Sequence, residues 1–103
     1  MGWVMAMFDL PVCDEEERRA ATIFRKALLD DGFIMIQFSV YARPCVSLEK
    51  LQQHENRIKA FAPKTGDVRL LFFTDKQWAQ SKLIIHKDIK KELEKVPKQI
   101  EFW

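Results

Sequence analysis

Two rhythms alternate along the chain. Trp3-Val-Met-Ala-Met-Phe8 is a continuous apolar run closed by Asp9-Leu-Pro11. Such a run reads as a strand buried on both faces, and Pro11, which cannot donate to a ladder, ends it. Asp14 then suits a helix N-cap, and Glu15, Glu16 and Glu17 suit the positive end of a helix dipole. Ala20, Ile23, Phe24, Ala27 and Leu28 recur at helical spacing and predict an apolar stripe. Gly32 fits the C′ position that ends the helix. Asp30 and Asp31 lie unfavourably at the negative end of that dipole, and the residues alone give no account of them.

Residues 33–43 (FIMIQFSVYAR) have strong strand character but exceed the usual length of about 5–6 residues. A hairpin near Gln37–Ser39 would split them. With no glycine-based turn there, the residues alone favour one bent strand. Ser47 caps a second helix over 48–62, with Leu48, Leu51, Glu55, Ile58 and Ala62 on one face, and Pro63 and Gly66 end it. Asp67 to Phe73 is the next strand, followed by a turn over Thr74–Gln77. Leu83–Ile85 reads as a short strand, Lys87–Lys95 as a charged helix or solvated segment, and Gln99–Trp103, after Pro97, as a closing strand. The order β-α-β(β)-α-β plus a tail is an α+β arrangement, ferredoxin-like if residues 33–43 form a hairpin. The expected organisation is one domain over 1–86 and a C-terminal extension over 87–103 carrying the closing strand. Two helices cover only one face of such a sheet. Strand one offers Trp3, Met5 and Met7 to one face and Val4, Ala6 and Phe8 to the other, so the uncovered face is too apolar for water. A two-fold dimer burying it is the simplest remedy.

Composition supports this picture. With 103 residues the chain suits one domain, and 48% hydrophobic residues is generous for a size that buries little of its own surface. The net charge of +2 excludes a polybasic tail protein and shifts attention to where charges sit. Cys13 and Cys45 make neither a CxxC pattern nor a disulfide framework and read as free thiols in a reducing compartment. No apolar run approaches the ~18 residues of a membrane span. The short run at Trp3–Phe8 lacks the basic flank of a secretory signal. The expectation is a cytoplasmic protein.

Asp9 is the first chemical candidate, a carboxylate held at the end of an apolar strand. It is either a turn residue bonding the backbone before Pro11 or a Mg²⁺ ligand, since Mg²⁺ commonly takes one or two carboxylates and keeps several waters. A two-fold axis would bring two copies together. Basic residues form stripes: Arg18 with Arg25, Arg19 with Lys26, and Lys50, His54 and Arg57 along the second helix. Each is either a solvated face or, doubled in a dimer, a surface that tracks phosphates. Ser39, Tyr41 and Arg43 alternate along their strand, either as cross-strand pairs or as a phosphate-contacting row. No His or Glu lies near enough in sequence to make Ser39 a nucleophile. His54 and His86 read as surface histidines. The aromatic residues form no base-stacking pattern on the sheet.

Several segments together resemble one family. The stretches MFDLPV (7–12), ERRAATIFRKALLDDGF (17–33) and QFSVYARPC (37–45), the Thr74–Gln77 turn and the apolar C-terminal segment are similar to the Cas-two (Cas2) proteins of type II CRISPR systems. The resemblance implies a ferredoxin-like βαββαβ sandwich with an additional C-terminal strand that joins the partner's sheet. It implies that residues 33–43 form two strands, against the reading of the residues alone. It implies a homodimeric endonuclease dependent on Mg²⁺ (or Mn²⁺), with Asp9 as catalytic residue and metal ligand. Arg18, Arg19, Arg25, Lys26, Ser39 and Arg43 are the expected nucleic-acid contacts. It also implies a partner, the Cas-one integrase, and double-stranded DNA as spacer precursor, with single-stranded RNA as another substrate. Two other readings stand beside it: a non-catalytic scaffold of the integration complex, and a VapD-like ribonuclease toxin on the same fold. The first two are separated by spacer acquisition without the Asp9 carboxylate, the third by neighbouring genes.

Overall fold

The computed structural model describes residues 2–85. Seven elements follow in order: β1 (Gly2–Asp9), α1 (Glu15–Asp30), β2 (Ile34–Gln37), β3 (Val40–Cys45), α2 (Leu48–Phe61), β4 (Asp67–Thr74) and α3 (Asp75–Ala79). The sheet order is β2-β3-β1-β4, and every neighbouring pair is antiparallel. This is the ferredoxin-like arrangement. The apolar β1 occupies the interior of the sheet, as its two-sided apolar sequence requires.

The helices cover one face. Val4, Ala6 and Phe8 point there and pack with Phe24, Leu28, Phe33, Tyr41, Cys45 and Ile58. Phe8 meets Phe24 edge-on, with ring centroids 5.2 Å apart. On α1 the buried stripe is Ala21, Phe24 and Leu28, while the expected stripe member Ile23 is exposed. On α2 the buried positions are His54 and Ile58, whereas Leu48, expected on the inner face, is exposed.

The ends of α1 are closed by sequence-encoded devices. At its start, Glu17 N–H donates to Asp14 Oδ1 (2.7 Å) and Asp14 N–H to Glu17 Oε1 (3.3 Å), a reciprocal capping box. At its end, Phe33 N–H reaches the Leu28 carbonyl and Gly32 N–H the Leu29 carbonyl, a Schellman motif with Gly32 at φ +92°. Phe33 and Leu28 both sit in the core, which supplies the apolar contact that accompanies such an end.

Residues 33–43 are two strands. Phe38 and Ser39 form the turn, with Ser39 at φ +63°, and Ile36 is the extra residue of a bulge in β2. The bent single strand favoured by the residues alone is thus corrected, and the resemblance-based hairpin stands. The Thr74–Gln77 turn is instead the start of α3: Thr74 is its N-cap, and Gln77 completes a second capping box. Leu83–Ile85 forms no strand and is exposed. Lys87–Lys95, Gln99–Trp103 and His86 lie outside the described residues.

The second sheet face carries Trp3, Met5 and Met7 of β1 opposite Phe73, Leu71 and Arg69 of β4. At one end α3 folds over it, and Trp78 stacks against Trp3 and Phe73 at 5.7 and 5.6 Å. Met7 and Leu71 remain exposed. Among the described residues no helix is long and apolar enough to cross a membrane, and Cys13 and Cys45 are free thiols.

Candidate functional site

Asp9 closes β1 and is exposed. Its ladder partner on β4 is Asp67, also exposed. Residues directly opposite in an antiparallel pair hold their Cβ atoms roughly 4.5–5.5 Å apart, and like charges there repel. Neither carboxylate has a hydrogen bond or ion pair among the described residues. Arg69 stands on the same face, opposite Met7. The β2–β3 turn reaches this end too, since Phe8 N–H donates to the Ser39 carbonyl at 3.1 Å. The loop before β4 closes tightly over it: a Cβ on Gly66, which has φ +100°, would lie 2.7 Å from the Asp9 carbonyl oxygen.

Two facing carboxylates without a cationic partner suit a hard divalent cation that takes one or two carboxylates and keeps its waters. No group of three or more His, Cys, Asp or Glu gathers among the described residues, so an all-protein cage is not built there. Sequence reasoning found Asp9 and missed Asp67, because only the β1–β4 register brings them together.

The expected basic contacts divide. Arg18 folds back and donates to the Val12 and Cys13 carbonyls (3.2 and 3.3 Å), closing the β1–α1 loop just beyond Asp9. Arg19 is exposed and lies 4.0 Å from Glu15. Arg25 and Lys26 stand two turns further along α1, and Lys26 borders a groove of about 440 Å³ between α1 and α2, lined also by Ile23, Phe61 and Arg57. Ser39 lies in the turn beside Asp9's end of the sheet, whereas Tyr41 is buried against Phe8 with ring centroids 5.6 Å apart. The phosphate-contacting row of Ser39, Tyr41 and Arg43 is therefore corrected: its middle member is core.

Arg43 pairs with Val4, five residues from Asp9 along β1, or about 17 Å at the usual rise per residue. Its guanidinium NH1 donates to the Asp31 carbonyl and its Nε to the Pro44 carbonyl (3.1 Å). Asp31, the α1 C-cap, is the hub of this end. Its carboxylate accepts from His54 Nδ1 at 2.8 Å and pairs with Arg57, and its side chain is 10% exposed. Two arginines, Arg43 from β3 and Arg57 from α2, thus supply the positive groups that the last turn of α1 lacks, and His54 adds a ring N–H donor. His54 is consequently no surface histidine: it is 5% exposed and meets Phe33 edge-on. Its partner lies 23 residues away in sequence, which hid the pairing from a local reading.

Comparison with known proteins gives one answer. The family model for "CRISPR associated protein Cas2" matches residues 1–81. A Parvibaculum lavamentivorans protein named "CRISPR-associated endoribonuclease Cas2" is 47% identical over 85 residues, covering 82% of this chain and 84% of that one. A protein of the same name from Ligilactobacillus salivarius is 45% identical over 87 residues, covering 84% and 86%. Another from Paracidovorax avenae is 41% identical over 101 residues, covering 98% and 93%.

Proposed function

Because the chain belongs to the CRISPR-associated Cas2 family, we propose that it is a divalent-metal-dependent endonuclease that serves spacer acquisition together with the Cas-one integrase. The observation that carries the reading is the facing pair Asp9 and Asp67, two exposed carboxylates with no partner among the described residues. They would hold Mg²⁺ or Mn²⁺. When bound, the ion supplies charge neutralisation at a phosphodiester and an activated water. Arg18 holds the loop next to Asp9 in place, and Arg19 and Arg69 offer exposed cations for flanking phosphates. The Ser39 hydroxyl is a donor at the same end of the sheet. The endoribonuclease names of the relatives support RNA as the substrate of cleavage; double-stranded DNA is the ligand of the acquisition role.

A homodimer fits the exposed apolar sheet face, with Met5, Met7 and Leu71 as the surface that a second copy would bury. It would also bring two Asp9 sites together. A second reading, a scaffold that holds spacer DNA without cutting, is favoured by the sparse ligand set.

One variant separates the two. With Mg²⁺ or Mn²⁺ present, purified Asp9→Asn is expected to lose cleavage of single-stranded RNA and double-stranded DNA while remaining folded. Loss of spacer acquisition in cells with the same variant assigns the chemistry to the pathway. Persistent acquisition makes the chain a scaffold there. Cleavage at the wild-type rate by Asp9→Asn removes Asp9 from the mechanism.

A further inference from the structure

The end of the sheet opposite Asp9 carries a second feature. A cavity of about 240 Å³ opens between the end of β3 and α2, lined by Arg43, Pro44, Val46, Lys50, Gln53, His54 and Arg57. Three of these residues are permanently cationic. One carboxylate, that of Asp31, engages the group, against the three cations of Arg43, Lys50 and Arg57. Asp31 also orients it: Arg43 is fixed by the Asp31 carbonyl, and Arg57 and His54 by its carboxylate.

The donors are not exhausted by these contacts. A guanidinium carries five N–H donors in a planar fork. Among the described residues Arg43 spends its Nε and NH1, and Arg57 spends NH1 alone. Lys50 Nζ has only a long contact to Gln53 Oε1 at 3.5 Å. Lys50 comes from the first turn of α2, at the positive end of its dipole, and Gln53 and His54 from the second. Pre-oriented arginines, an ammonium on a four-carbon stem and a helix start make a site for a tetrahedral oxyanion.

We propose that this cavity is a phosphate-binding site, remote from the Asp9 end, that takes one phosphate group of a bound nucleic acid. The choice of ligand rests on the nucleic-acid function proposed above; the anion chemistry rests on the cavity alone. Asp31 is a positioning residue in it, and Arg43, Lys50 and Arg57 are the contacting groups. Two sources share the chemistry, a backbone phosphodiester and a 5′-terminal phosphate.

The test uses the full chain and has two arms. In the first, ¹⁵N-labelled protein is titrated with inorganic phosphate, with chloride at matched ionic strength as control, following the arginine Nε–H and His54 ring signals. A saturable shift of the Arg43, Arg57 and His54 signals is expected, with affinity about tenfold lower in Lys50→Gln. In the second arm, a DNA duplex with or without a 5′-phosphate is bound by wild type and by Lys50→Gln, which breaks no short contact. The variant is expected to reduce the slope of log affinity against log salt by about 0.9, the value for one phosphate contact. Equal loss for both duplexes identifies a backbone phosphate, and loss confined to the phosphorylated duplex identifies a terminal one; either supports the proposal. Wild-type protein that binds neither duplex, while phosphate still saturates the cavity, overturns the nucleic-acid function and leaves the anion site standing. The proposal is overturned if phosphate moves these signals no more than chloride does, or if a glutamate-rich peptide moves them and phosphate does not.

Discussion

Replacing Gly32 by alanine tests the junction of α1, β2 and β3 at its tightest point. Gly32 has φ +92°, and a Cβ there would lie 2.6 Å from Arg43 NH1 and 3.2 Å from its Cζ. Holding an L-residue in the left-handed region costs roughly 1–2 kcal/mol. Displacing the guanidinium sacrifices its bond to the Asp31 carbonyl, a charged hydrogen bond of about 1.5–3 kcal/mol, which we discount to ~1 kcal/mol because the group is only half-buried. Alanine also restricts the unfolded chain and returns about 0.4–1 kcal/mol. The net expectation is a loss of about 2 kcal/mol, or roughly 8–16 °C in Tm for a domain of this size. Urea unfolding at fixed protein concentration, which matters if the chain self-associates, measures it. The informative form is a double-mutant cycle with Arg43→Ala. Without the guanidinium the steric part disappears, and Gly32→Ala should then cost only about 0.5–1 kcal/mol. A coupling below about 0.4 kcal/mol, the level of ordinary additivity, would refute the idea that Gly32 is there to admit Arg43.

Without divalent ions, Asp67→Asn should stabilise the protein by about 0.2–1 kcal/mol by relieving the opposed carboxylates. A rise in Tm on adding Mg²⁺ should be present in wild type and absent in both Asp9→Asn and Asp67→Asn; thermal scans with and without the ion decide it. Phe24→Ala should cost about 3–5 kcal/mol in denaturant titrations, because Phe24 has no exposed surface and supports Phe8, the residue before Asp9. Ser39→Val should cost roughly 1–2 kcal/mol because a β-branched residue resists φ +63°, whereas Ser39→Gly should stay within about 0.5 kcal/mol. Equal stability of the two Ser39 variants would show that the turn does not depend on that dihedral.

What the sequence made legible is what local chemistry controls. The apolar run of β1, the Asp14 N-cap with the acid-rich start of α1 and the glycine that ends it are each written within a few consecutive residues, and each appears where expected. The β2–β3 hairpin was hidden from the residues because its left-handed position is held by Ser39 rather than by Gly or Asn, the residues that usually announce such a turn. The family resemblance supplied it. Thr74–Gln77 was seen as a boundary but not as a capping box, although the Thr-x-x-Gln spacing is the signal for one. The remaining omissions are long-range. Asp67 meets Asp9 only through the β1–β4 register, and Asp31 meets Arg57 only because α1 and α2 pack side by side. No periodicity within one segment encodes either meeting.

Asp31 and Asp9 show how opposite surroundings divide structural from chemical roles among identical side chains. Asp31 stands where a carboxylate is least welcome, at the negative end of α1, yet it is nearly buried because His54, Arg57 and Arg43 converge on it. Its carboxylate is engaged by His54 and Arg57, so it has no capacity left for a cation. Asp9 has the reverse environment. It is exposed, faces a second carboxylate, and receives no donor among the described residues. A fold selected for stability alone would gain by replacing either member of that pair with a neutral residue, since opposed like charges on neighbouring strands cost free energy. The unfavourable pair makes physical sense if a cation completes it. By the same reasoning the excess positive charge around Arg43, Lys50 and Arg57 makes sense if an anion completes it. On that reasoning a cation site and an anion site would lie at opposite ends of the sheet, about 17 Å apart along β1.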